Sequence, residues 1–203
     1  MIIGIEGTGS QGWGDLDLRR TFVRRILHST THRPASYFIG PGNTGMDGST
    51  IIAGAYQALV NGAHNAPIIL VGYSRGAAYC MEIAKRWKKP IDILVLFDAV
   101  ARQGDIDIPE KVPGNVVKCF HAYRDARTGS RYFFGNVGLY PESRSTDFKK
   151  KMFPGSHGAI GGTWYDAAND EGTKGNYTGA AVTRAFGGGV DDRQKLPVGM
   201  RSE

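Results

Sequence analysis

The sequence predicts an α/β fold built on a mostly parallel central sheet. Three observations carry that expectation. Short apolar runs rich in Ile, Val, Leu and Phe recur at 2–5, 36–39, 68–71, 91–97 and 116–123. Through the first half of the chain they alternate with stretches whose apolar residues fall at helical spacing. Glycine-rich loops join the two kinds of segment. The chain holds 29 glycines in 203 residues, roughly twice the usual share, as tight strand-to-helix turns require. Strands alternating with helices imply parallel pairing, with the helices packed on the faces of the sheet.

The elements follow in order. Residues 2–5 form the first strand, which ends in the loop Gly7-Thr8-Gly9-Ser10. Leu18, Phe22, Val23, Ile26 and Leu27 mark one helical face, with Arg19, Arg20, Arg24 and Arg25 on the other. The strand over 36–39 closes in Gly40-Pro41-Gly42, and a glycine-rich loop from Asn43 to Ser49 leads into a helix over 50–61. The strand at 68–71 precedes a helix over 75–88 that buries Ala78, Met81, Ile83, Ala84 and Trp87. Residues 91–97 are an almost unbroken apolar run, the pattern of a central parallel strand. Residues 116–123 form a further strand, and Met152-Phe153 ends a short last one. From about residue 172 the pattern gives way to Gly187-Gly188-Gly189 and a polar tail. The expectation is one domain over 1–203 with a loop-rich end.

Composition sets bounds. Hydrophobic residues make up 41% and charged residues 22%, enough for a core that needs no staple. Cys80 and Cys119 lie in apolar stretches and read as buried free thiols. No Cys/His cluster has zinc spacing, and no metal or cofactor is expected. The start Met1-Ile2-Ile3-Gly4 has neither a basic region nor a long apolar one. The chain therefore reads as cytoplasmic, or exported without a cleaved signal. Net charge is +6, which favours contact with an anionic membrane surface. Much of that charge reads as solvated helix faces, and no aromatic-interleaved basic motif points to nucleic acid.

The chemistry gathers around Gly72-Tyr73-Ser74-Arg75-Gly76. It sits between a strand and a helix, the context of a nucleophile elbow. There a serine stands on a strained turn with its hydroxyl clear of the sheet, and the flanking glycines leave room where strand and helix meet. A serine hydroxyl needs a base and an orienting acid. Of the five histidines, His28 and His32 end a basic helix, His64 precedes the elbow strand and His121 lies within a strand. His157, in the glycine-rich segment Ser156-His157-Gly158-Ala159-Ile160-Gly161-Gly162, lies downstream of the serine, in the order Ser, acid, His. The acid is Asp98, at the end of the 91–97 strand, or Asp125, after the next strand. For the oxyanion, the backbone N–H of Arg75 is one expected donor, and an N–H of Thr8 or Gly9 is the second.

These segments resemble a known group. Glu6-Gly7-Thr8-Gly9, Gly40-Pro41-Gly42-Asn43-Thr44, Gly72-Tyr73-Ser74-Arg75-Gly76-Ala77, Phe97-Asp98-Ala99-Val100, His121-Ala122 with the stretch from Arg127 to Phe133, and Ser156-His157-Gly158-Ala159-Ile160-Gly161-Gly162 follow the order of motifs in an α/β-hydrolase domain family that includes phospholipase effectors of the bacterial type VI secretion system. The resemblance spans about residues 3–165. It implies a three-layer α/β-hydrolase-like sandwich and a triad of Ser74, His157 and Asp98. The chain departs from the family's motifs at Glu6, in place of aspartate, and at Gly158-Ala159, in place of Ser-Asp. The implied function is a serine esterase or lipase-type hydrolase acting on carboxylic esters, lipid or phospholipid esters among them. The alternative is a non-enzymatic binding or structural module on the same fold.

Overall fold

The computed structural model describes residues 1–63, 67–102, 105, 107–125, 134–154 and 156–163. Through the first half of the chain, strands and helices alternate as expected. They run β1 (Ile2–Ile5), a single 3-10 turn (Ser10–Gly12), α1 (Asp15–Leu18), α2 (Phe22–Ser29), β2 (Ala35–Phe38), α3 (Gly48–Gly62), β3 (Ile69–Tyr73), α4 (Arg75–Trp87) and β4 (Ile91–Phe97). The second half adds β5 (Val100–Ala101), β6 (Val116–Arg124), β7 (Gly135–Asn136), β8 (Asp147–Phe153) and α5 (His157–Gly161).

Six strands form one sheet in the order β2-β1-β3-β4-β6-β8. Every pairing in it is parallel. The chain steps outward from β1 to β2 and then returns to place β3 on the other side of β1. That reversal makes a switch point between β1 and β3, and in open α/β sheets ligands bind at such a point, at the carboxyl ends of the strands. A parallel sheet is buried on both faces, which explains the continuous apolar runs. One face packs Ile3, Ile5, Leu70 and Leu94 under α3 and α4 through Leu59, Met81 and Ile83. The other packs Ile2, Val71 and Phe97 under α2 and α5 through Phe22, Val23 and Ile160. Each fully buried Leu or Ile contributes roughly 1.5–3 kcal/mol. Helix α2 starts where Thr21 caps it, its side chain accepting from the Arg24 N–H.

Three segments differ from the sequence expectation. β8 ends at Met152-Phe153 as expected but runs for seven residues, its first five carrying no strand pattern. It is an edge strand carrying Lys149, Lys150 and Lys151, which blunt the edge and mask the strand's periodicity. β5 and β7 pair as a separate antiparallel ribbon of two residues each, too short to leave a pattern. His157 begins a short buried helix where a glycine-rich loop is expected, because Ser156 caps it by accepting the Ala159 N–H at 3.1 Å. Cys80 and Cys119 are buried free thiols. The expected loop-rich tail, His64 and the stretch from Arg127 to Phe133 lie outside the described residues.

Candidate active site

Ser74 lies between β3 and α4, with φ 57° and ψ −127°. A non-glycine residue held there is strained. The strain serves a geometry: the chain turns from strand to helix within one residue. The turn closes because residues 72 and 76 lack side chains. A Cβ on Gly72 would lie 2.4 Å from the Ala77 Cα, and one on Gly76 would lie 2.2 Å from the Glu6 carbonyl oxygen.

The structure brings Ser74, His157 and Asp98 into one hydrogen-bonded line. Ser74 Oγ is 2.8 Å from His157 Nε2, and His157 Nδ1 is 2.6 Å from Asp98 Oδ2. An ionised carboxylate can only accept, so Nδ1 carries the proton and Nε2 is left to accept from the serine hydroxyl. The three groups come from three places: the end of β3, the first turn of α5 and the end of β4. All three are buried, with Ser74 at 2% and His157 at 3% exposure. The Tyr73 ring lies 5.1 Å from the imidazole and the Phe134 ring meets it edge-on at 5.5 Å. The Tyr73 hydroxyl donates to the His157 carbonyl at 3.3 Å.

Asp98, not Asp125, contacts the imidazole. Its own φ is 47°. Four donors surround its carboxylate: His157 Nδ1, Arg124 Nη1 at 2.6 Å, the Arg124 backbone N–H at 3.2 Å and Asn136 Nδ2 at 2.8 Å. Burial alone would raise its pKa. The Arg124 charge and the hydrogen bonds from His157 and Arg124 outweigh that and hold it well below the usual carboxylate range. Asp125 sits one strand further out, where its N–H extends the sheet by donating to the Phe153 carbonyl at 2.9 Å.

The Arg75 N–H, expected as one oxyanion donor, is at the first position of α4, where no intrahelical acceptor exists. The Arg75 guanidinium points elsewhere, into a buried ion pair with Asp105. The loop after β1 abuts Ser74, since a Cβ on Gly7 would lie 2.9 Å from the Ser74 Cβ. Of the two expected donors there, Gly9 is corrected. Its N–H donates to the Pro41 carbonyl at 2.8 Å, tying the loop to residues 40–42. The Thr8 N–H has no acceptor among the described residues, and the buried Thr8 Oγ1 likewise has no partner among them.

Two neighbouring groups have structural roles. His121 is buried, donating from Nδ1 to the Gly138 carbonyl (3.0 Å) and accepting the Ala99 N–H at Nε2 (3.2 Å). That pairing places its proton on Nδ1, and burial lowers its pKa, so it stays neutral. Glu6, at the base of the loop after β1, receives the Thr21 and Tyr37 hydroxyls. Burial pushes its carboxyl up to about 7 despite those bonds and the nearby Arg24 charge.

Sequence reasoning missed Arg124, Asn136, Tyr73 and Phe134. Arg124 carried a signal, because an arginine ending a buried strand must find an anion. Asn136 carried none. Among the described residues no group of three or more His, Cys, Asp or Glu could hold a metal ion, and no helix is long and apolar enough to cross a membrane. No family model and no curated protein sequence matches this chain significantly.

Proposed function

We propose that this chain is a serine hydrolase of the α/β-hydrolase type that cleaves carboxylic esters through an acyl-enzyme. The observation that carries the reading is the line from Ser74 Oγ through His157 to Asp98, at 2.8 and 2.6 Å. Ser74 Oγ attacks the ester carbonyl carbon while its proton passes to His157 Nε2. The resulting oxyanion accepts the N–H groups of Arg75 and Thr8. The carbon–oxygen bond to the alcohol breaks, and His157 returns the proton to the leaving alkoxide. Water then repeats the sequence on the acyl-Ser74 ester, with His157 again the base, and frees the acid. Asp98 fixes the imidazole tautomer and stabilises the imidazolium.

The resemblance in motif order supports a lipid or phospholipid ester as substrate. So does a basic, apolar strip along the outer strands. Lys149 and Lys151 on β8 share a sheet face with exposed Phe120 (38%), and Lys150 shares the opposite face with exposed Met152 (46%). Edge-strand lysines alone are ordinary protection against edge pairing. Exposed Phe120 and Met152 are not part of that protection, and an anionic membrane surface would satisfy both features.

A fluorophosphonate probe followed by mass spectrometry tests the activity. Labelling is expected at Ser74 and is expected to vanish in Ser74→Ala and fall steeply in His157→Ala. A folded wild-type protein that takes no label would favour a non-enzymatic module, the reading on whose side the burial of Ser74 stands.

A further inference from the structure

We propose that Arg124 is a positioning residue that shares the Asp98 carboxylate with His157 and so keeps the imidazole an unprotonated base into mildly acidic solution. The proposal rests on the reading of Ser74, His157 and Asp98 as a catalytic triad.

The argument begins with one oxygen. Asp98 Oδ2 is 2.6 Å from His157 Nδ1 and also 2.6 Å from Arg124 Nη1. Oδ1 takes the Arg124 backbone N–H and the Asn136 amide. A carboxylate offers about four lone-pair sites, so these four donors fill it. Arg124 and Asp98 are both buried, at 3% and 0% side-chain exposure. Their charges therefore interact with little screening. In a triad whose aspartate has only hydrogen-bond donors around it, the imidazolium is the one cation facing the anion. Here a permanent cation already does so. Protonating His157 would place two positive charges around a single carboxylate, in a site closed by Tyr73 and Phe134. That disfavours the imidazolium.

Among the described residues, most other groups around the imidazole are neutral. Tyr73, from the end of β3, presents its ring and carries no charge at neutral pH. Phe134 is apolar. Ser74 is neutral. His121, which faces Asp98 from β6, is neutral as well. Asp125 follows Arg124 in the chain and is 8% exposed; its backbone is fixed to Phe153 at the outer side of β6. Arg124 also donates through Nη2 to the Phe134 carbonyl at 3.0 Å. The same guanidinium thus anchors the residue whose ring lies edge-on to His157, and fixes the imidazole by position as well as by charge.

The test reads His157 directly. The protein, carrying 13C at histidine Cε1, is titrated by NMR, with His157→Gln assigning the resonance. Arg124→Met, which keeps the length but loses the charge, is expected to raise the His157 pKa by about one unit. Arg124→Lys keeps the charge and is expected to stay near wild type. Asn136→Ala, which removes a neutral donor, is also expected to leave it near wild type. The buried His121 resonance reports whether each variant is folded. Should Arg124→Met unfold, Arg124→Gln takes its place. A folded neutral variant with an unchanged or lower His157 pKa overturns the proposal. Failure of both neutral variants to fold also overturns it, since Arg124 would then be a structural residue. The acid limb of fluorophosphonate labelling should move upward with the NMR value. The titration needs no turnover. An unlabelled wild type would sink the hydrolase reading while the His157 shift is still measured, and a labelled Ser74 with an unmoved His157 would sink only the role of Arg124.

Discussion

Gly76→Ala is the sharpest test of how the fold holds the site. Gly76 is the second residue of α4, buried against β1. A Cβ there would lie 2.2 Å from the Glu6 carbonyl oxygen and 2.4 Å from that of Ile5. A carbon–oxygen contact needs roughly 3.3 Å, so helix and strand must separate by about 1 Å. Neither obstacle is the flexible end of a side chain. Both are backbone atoms of β1, which is paired on both sides by β2 and β3. Overpacking of this kind costs about 1–3 kcal/mol, occasionally more. For a domain of this size that lowers Tm by roughly 2–10 °C. The same displacement separates the Arg75 N–H from the Thr8 N–H, which lie on opposite sides of the contact. A misplacement of about 1 Å at a reacting centre costs on the order of 100-fold in rate. The assay is calorimetry together with the rate of fluorophosphonate labelling. Gly54→Ala is the control: its Cβ would meet nothing nearer than the Phe38 ring at 3.4 Å, on an exposed face of α3. It should stabilise the protein by about 0.5–1 kcal/mol and leave labelling alone. If Gly76→Ala matches wild type in both measurements, the close approach of α4 to β1 does not set the site and the reasoning fails.

Other outcomes follow from the same geometry. Asp98→Asn should slow labelling of Ser74 by about 10³–10⁴-fold, whereas Asp125→Asn should stay within roughly tenfold of wild type; kinetics of both variants decide between them. Glu6 has a folded pKa raised to about 7 from 4.5, so the folded state binds more protons between those values. Its stabilising contribution is full below about pH 4.5 and is lost as pH rises through about 7. Glu6→Gln should therefore gain up to about 3 kcal/mol over wild type at pH 8 relative to pH 4, read from denaturant titrations at both pH values. Asp98 works in the opposite sense: its depressed pKa makes its contribution present above the ordinary carboxylate range and lost in stronger acid. Replacing Lys149 and Lys151 by Glu should abolish binding to anionic liposomes at low salt without changing the labelling rate; unchanged sedimentation with liposomes would count against the β8 strip as a membrane contact.

What could be read in the sequence was whatever a local pattern enforces. The five apolar runs at 2–5, 36–39, 68–71, 91–97 and 116–123 correspond to β1, β2, β3, β4 and β6 within a residue or two. Buried parallel strands must be apolar on both faces, and that leaves an unambiguous run. The strained turn at Ser74 was legible because a strand, a G-x-S-x-G segment and a helix are consecutive in the chain. The choice between Asp98 and Asp125 was not legible from spacing. Both follow strands at the same edge of the sheet, and only the three-dimensional position of α5 selects one. Arg124 and Asn136 could not be assigned to Asp98 because their separations in sequence, 26 and 38 residues, are closed by β6 and by the β5–β7 ribbon. Only the end of β8, at Met152-Phe153, was legible; its lysines mask the rest, since an edge strand has no need for a continuous apolar run. Gly9 looked interchangeable with Thr8 because sequence gives no direction to an N–H. Its φ of 84° and the Pro41 carbonyl decide that direction.

The sheet also explains why two strained residues can be held at the site. Ser74 and Asp98 both have positive φ, a conformation that costs about 1–3 kcal/mol in a non-glycine residue. Each lies just beyond the end of a strand, and each continues the ladder by one hydrogen bond. The Ser74 N–H donates to Phe97 at 2.9 Å, the Asp98 N–H to Ala122 at 2.7 Å and the Asp125 N–H to Phe153 at 2.9 Å. These bonds form a chain across β3, β4, β6 and β8, so the end of each strand is fixed by its neighbour. Beyond β8 the polypeptide reaches α5 within a few residues and delivers His157 back over β4. The register of the sheet thus sets the spacing between serine and acid, while the short link from β8 to the Ser156 cap sets the imidazole between them. Strain at Ser74 and Asp98 is offset by ladder bonds and by the four donors on the Asp98 carboxylate. A hydroxyl, an imidazole and a carboxylate are thereby kept in line without relying on the freedom of any one loop.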